Sequence, residues 1–145
     1  MATNQKINQE TELNSLQQLV GTLILLVEDE PEIADLLTFI LEAAGAEVVA
    51  LSDAEEALIL VESLHPDILL CNMKLPNRDG NWLIEQIRVN SCPSLRQLPA
   101  IAITSYTREV SSYKALNAGF NRFLVKLESP EEIVNEIANL LSTKL

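Results

Sequence analysis

Residues 23–41 read LILLVEDEPEIADLLTFIL. The five apolar residues Leu23 to Val27 show no polar alternation, as a strand buried on both faces requires. Three carboxylates and a proline follow (Glu28, Asp29, Glu30, Pro31), and then Ile33, Leu36, Leu37, Ile40 and Leu41 recur at helical spacing. Buried strand, polar turn and amphipathic helix together make the opening unit of an α/β domain.

The same alternation continues outward from this stretch. Short apolar runs at Glu47–Leu51, Ile68–Cys71, Ala100–Ile103 and Phe123–Val125 are the further candidate strands. Helical periodicity lies between them: Ala54, Ala57, Leu58 and Val61 line a second helix, a third covers about Asn81–Val89, and a fourth about Arg108–Asn117. The last is marked by Ser129 as cap, Pro130 in the first turn, Glu132 completing a capping box, and the stripe Ile133, Ile137, Leu140 and Leu141. Five strands and five helices are expected, forming one parallel sheet with helices on both faces.

Towards the N-terminus, residues 1–21 are rich in Asn, Gln, Glu and Thr, with Leu16, Leu19 and Val20 at roughly helical spacing before Gly21. They read as a polar leader, flexible or partly helical, ahead of a domain over 22–145. The sequence ends with the fifth helix, so no output domain is expected after it.

At 145 residues and 48% hydrophobic, the chain matches one domain around one core. Lys+Arg 10 against Asp+Glu 21 gives a net charge of −11, which repels nucleic-acid phosphate and anionic lipid. Direct DNA binding is therefore not expected. Cys71 and Cys92 form neither a disulfide framework nor a zinc pattern, which fits a reducing, cytoplasmic setting. No signal peptide or apolar stretch of membrane-spanning length is present.

In an open parallel sheet, ligands bind beyond the carboxyl ends of the strands. Those ends are polar here: Glu28, Asp29 and Glu30 after the first strand, Asn72 at the third, Thr104 and Ser105 at the fourth, Lys126 at the fifth. Carboxylates with an amide oxygen make a hard-oxygen site suited to Mg²⁺, while a hydroxyl and an ammonium suit phosphoryl oxygens.

From Leu23 to about Leu141 the sequence resembles the receiver domains of bacterial response regulators. The resemblance rests on the acidic pair Glu28 and Asp29, Pro76 four residues beyond position 72, Asp79-Gly80, Thr104 and Lys126, in order and at matching intervals. It implies a flavodoxin-like, doubly wound fold and a role in two-component phosphorelay signalling rather than as a conventional enzyme. By position, Glu28, Asp29, Asn72 and the backbone carbonyl of Lys74 would hold Mg²⁺. Thr104 would be the switch hydroxyl, Lys126 the phosphoryl-pairing cation, and Phe123 the aromatic switch. The implied partners are a histidine kinase or phosphotransfer protein and a downstream protein target, with the chain a monomer or weak homodimer. The phrase from Pro99 to Glu109, with Ala118-Gly119-Phe120, is closest in flavour to receivers of hybrid sensor kinases.

Two departures stand out. Lys126 is followed by Leu127 where most receivers have proline, which leaves the conformation of that bond open. Asn72 occupies the position of the phosphoacceptor aspartate, and a carboxamide lacks the charge and basicity for nucleophilic attack on phosphorus. Mg²⁺ binding should weaken with the loss of one negative charge. Two origins are open: a natural receiver that signals without phosphorylation, or an Asp-type acceptor replaced by Asn. A flavin-binding electron carrier of the same fold is disfavoured, because Glu28, Asp29 and Glu30 stand where a flavin phosphate would need hydroxyl and glycine residues.

Overall fold

The computed structural model describes residues 17–104, 109–125 and 130–143. Five strands, β1 (Leu23–Val27), β2 (Glu47–Leu51), β3 (Ile68–Asn72), β4 (Ala100–Thr104) and β5 (Arg122–Val125), form one parallel sheet in the order β2-β1-β3-β4-β5. Among the described residues six helices accompany them: α1 (Pro31–Ala43), α2 (Ala54–Leu64), α3 (Gly80–Arg88), α4 (Pro93–Arg96), α5 (Glu109–Ala118) and α6 (Pro130–Ser142). This is the flavodoxin-like, doubly wound arrangement.

The period of two along each central strand divides the core into two layers. Ile24 and Leu26, Ile68 and Leu70, and Ile101 and Ile103 pack with Leu37 and Leu41 of α1 and Ile133 and Ile137 of α6. The intervening residues, Leu25 and Val27, Leu69 and Cys71, Ala100 and Ala102, pack with Ala57 and Val61 of α2, Leu83, Ile84 and Ile87 of α3, and Ala115 of α5. Because β3 lies mid-sheet and faces both layers, all five of its residues are buried. β2 and β5 are the edges and carry exposed and partly exposed positions.

The expectation of five helices is corrected to six. The addition, α4, is a single turn opened by Pro93 at its first position and held by buried Leu95. Four residues are too few to display a helical period, so Ser91-Cys92-Pro93 reads as plain loop in the sequence. The strand ends also move: β3 reaches Asn72 and β4 reaches Thr104, making both polar residues the last of their strands. Residues 1–16 of the leader, Arg108, and the cap at Ser129 lie outside the described residues. The turn over 17–21 packs on the domain, with Leu19 fully buried and its N–H donating to Ala44 O at 2.9 Å.

One side chain ties two connections to the end of α3. The Arg88 guanidinium, at the end of α3, donates to the carbonyls of Gly119 (2.9 Å), Arg96 (2.9 Å) and Leu98 (2.7 Å) and to Asn121 Oδ1 (3.0 Å). Burial lowers its pKa from the ordinary arginine value, and its bonds hold the entries to β4 and β5 against α3. Asn121 Oδ1 also accepts the Ala100 N–H at 2.9 Å, joining β4 to the same cluster. Replacement by Met keeps the stem and removes every donor, leaving partly buried carbonyls unsatisfied. Arg88→Met is expected to destabilise the fold by about 2–4 kcal/mol, read as a lower midpoint in urea at unchanged slope.

Candidate functional site

The register of the sheet creates the site. Val27 pairs with Cys71, so the next residues, Glu28 and Asn72, leave adjacent strands side by side. Each continues the parity of its strand (Ile24, Leu26, Glu28; Ile68, Leu70, Asn72), which assigns both to the α1 and α6 face. Glu28 still extends the ladder, donating its N–H to Leu51 O at 2.9 Å, and Met73 beyond Asn72 donates to Ile103 O at 3.0 Å.

Glu28 is 3% exposed and Asn72 is 6% exposed, the two buried polar side chains among the described residues. Buried groups of this kind are stable only when hydrogen-bonded. The Asn72 amide donates through Nδ2 to Glu28 Oε2 at 3.1 Å and to Asp29 Oδ1 at 3.3 Å. Its Oδ1 accepts the Lys74 N–H at 3.3 Å, and Glu28 Oε2 also accepts the Glu30 N–H at 3.1 Å. Hydrogen bonds to a charged partner contribute about 1.5–3 kcal/mol each, so the amide is well anchored.

The loop after β3 is held close to this cluster. Gly80 donates its N–H to Met73 O at 3.0 Å, and a Cβ on Gly80 would stand 2.6 Å from Asn72 O. Only glycine allows the start of α3 to lie against the end of β3. Asp79 caps α3, accepting the Trp82 N–H at 2.7 Å. The Asp79-Gly80 pair thus has a structural reason independent of any ligand. Arg78 lies 5.1 Å from the Trp82 ring centroid and 3.6 Å from Glu55, clasping the loop to α2. Sequence reading did not single out this clasp, although the four-residue spacing of Arg78 and Trp82 is a local signal for it.

The other anticipated residues stand as follows. Thr104 closes β4, partly exposed and paired with Val125 of β5. Phe123 in β5 is half-buried and packs against the layer covered by α2, α3 and α5. Lys126 and its bond to Leu127, and Ser105, lie outside the described residues. Cys71 is buried, its Sγ 3.3 Å from Asn72 O, and Cys92 is partly exposed.

As a divalent-cation site the cluster does not fit in this arrangement. Glu28 and Asp29 offer anionic oxygens, but Asn72 turns its N–H₂ towards them and its oxygen away. Among the described residues, no group of three or more His, Cys, Asp and Glu side chains is placed to hold a metal.

The family model of the response regulator receiver domain matches residues 24–138. This chain belongs to the response regulator receiver family. The receiver is 41% identical over 119 residues to an uncharacterised 14.6 kDa protein from the sodA1 3′ region of Leptolyngbya boryana, covering 82% of this chain and 89% of that one. A crystal structure described as a response regulator from Chloroflexus aurantiacus J-10-fl superimposes with a TM-score of 0.79 at 31% identity, over 83% of this chain and 98% of its own. The signal receiver domain of a signal transduction histidine kinase from Syntrophus aciditrophicus gives a TM-score of 0.76 at 27% identity, over 85% and 92%. The receiver spans about half the length of the DNA-binding and transcriptional response regulators it also matches. No helix among the described residues is long and apolar enough to cross a membrane.

Substitution at Gly80 tests the close packing directly. The backbone oxygen of Asn72 cannot move aside as a flexible side chain could, so Gly80→Ala is expected to destabilise the receiver by about 1–3 kcal/mol. Chemical denaturation measures the loss, and displaced backbone resonances at residues 72 and 73 would locate it.

Proposed function

We propose that this receiver signals by protein interaction without being phosphorylated, with Asn72 standing at the phosphoacceptor position. The observation that carries the reading is Asn72 at the end of the central strand, buried and bonded to the acidic pair Glu28 and Asp29. A carboxylate there would be an anionic nucleophile for a phosphohistidine or acyl phosphate. A carboxamide has its nitrogen lone pair delocalised into the carbonyl and carries no charge, so the attack does not proceed. Loss of that charge, with the amide nitrogen rather than its oxygen turned to Glu28 and Asp29, also opposes the Mg²⁺ binding expected at Glu28, Asp29, position 72 and the Lys74 carbonyl.

The remaining residues take their roles from the family pattern. Thr104 and Lys126 are the hydroxyl and cation that would contact phosphoryl oxygens in a phosphorylatable form, and Thr104 and Phe123 are the switch pair. Their output surface is the face formed by α5, β5 and α6. In this chain the balance between switch states is set by the sequence and by binding partners, because a ligand shifts such a balance only through unequal affinity for the two states. The partners are a histidine kinase or phosphotransfer protein and a downstream protein target, in the cytoplasm. Similarity to the receiver of a histidine kinase supports a relay setting. The net charge of −11 opposes direct nucleic-acid contact. The receiver acts as a monomer or weak homodimer over residues 22–145, with 1–21 as a leader.

Intact mass after incubation with acetyl phosphate and Mg²⁺ tests this reading. The expected result is a phosphoryl adduct on Asn72→Asp and none on the chain as it stands. An adduct on the unaltered chain would overturn the assignment, and its absence from both would mean that more than position 72 separates this site from a working acceptor.

A further inference from the structure

The Asn72 amide has a definite orientation, and both of its ends contribute to that orientation. Nδ2 faces two carboxylate oxygens, Glu28 Oε2 and Asp29 Oδ1, while Oδ1 faces the Lys74 N–H. A half-turn about the terminal bond would set Oδ1 against both carboxylates and Nδ2 against an N–H group. All three hydrogen bonds would become repulsions between like partners. The amide is therefore held with its positive end towards the acidic pair.

A divalent cation at this place would need the opposite arrangement, with three oxygen donors converging. To admit one, Asn72 must give up both bonds to the carboxylates and the bond from Lys74. Glu28 sits 3% exposed and anionic beside an amide that is itself 6% exposed, so the donor lies where the acidic pair most needs compensation.

We infer that the Asn72 amide takes the place of the divalent cation in this receiver, bridging Glu28 and Asp29 so that the acidic pair holds its geometry without metal. This rests on the reading of position 72 as the altered acceptor position. The chain is accordingly a cation-independent receiver, and the residue that removes the nucleophile also removes the requirement for its metal. Asn72→Asp turns a donor into a third acceptor beside two carboxylates and restores that requirement.

Thermal unfolding of the full chain, Asn72→Asp and Asn72→Ala in EDTA and in Mg²⁺, at matched ionic strength, tests the inference. With the cation about twentyfold above its dissociation constant, linkage gives a rise in Tm of about 5 °C for a site that binds it. The expected result is that rise in Asn72→Asp and a change below about 1 °C in the unaltered chain. Asn72→Ala, which lacks both the donor and the third carboxylate, is expected to lose Tm in EDTA and recover part of it in Mg²⁺. Should Asn72→Asp be unfolded in EDTA, refolding on addition of Mg²⁺ reads the same dependence. Equal rises in the unaltered chain and Asn72→Asp would overturn the inference, as would no rise in either.

Phosphoryl labelling reads the functional assignment separately. Labelled Asn72→Asp together with equal cation responses would sink the amide-for-cation exchange and leave the acceptor position standing. A cation response confined to the variants, with no label on Asn72→Asp, would support the exchange and remove the acceptor reading.

Discussion

The structure depends on one juxtaposition: a buried carboxylate at the end of β1 beside a buried carboxamide at the end of β3. Neither side chain could be buried alone without a large desolvation penalty, and each supplies what the other lacks. Their meeting is a consequence of parallel pairing between β1 and β3, which brings residues 28 and 72 out of the sheet at the same level. A slip of one residue would turn Asn72 to the opposite face and leave Glu28 against an apolar neighbour. The polar pair therefore specifies the register of the central strands as well as forming the site.

Much of this was legible in the sequence. The unbroken apolar runs at residues 23–27 and 68–71 announced buried parallel strands, and the polar residues just beyond them announced the edge where a site forms. The second core layer was legible too, because Ala57 and Val61 already showed the helical face that packs there. The short helix at Pro93–Arg96 was hidden by its length. Arg88 was hidden for another reason: its partners lie 8 to 33 residues away in sequence, and no local spacing signals bonds to backbone carbonyls.

The orientation of the Asn72 amide lay beyond sequence reading for the same physical reason. Residue type fixes that an amide has a donor and an acceptor end, but only the surrounding fold decides which end faces which group. Sequence alone treats Asn72 as a weakened metal ligand through its oxygen, whereas the bonded geometry turns its nitrogen to the carboxylates. Gly80 illustrates the converse. Its place in the family pattern was visible in the sequence, while the reason for it, the approach of α3 to the Asn72 carbonyl, required the structure.

With the Asn72 amide proposed to stand in place of both acceptor and cation, the site should hold one arrangement irrespective of phosphoryl donor and cation. The most direct measurement is a pair of ¹H–¹⁵N correlation spectra of the unaltered chain, recorded before and after addition of acetyl phosphate with Mg²⁺. Superimposable backbone and Asn72 side-chain amide signals are the result expected. Displacement of the Asn72 Nδ2 signals together with those of Thr104 and Phe123 would contradict the claim, because it would mean that the amide yields its place and the switch responds.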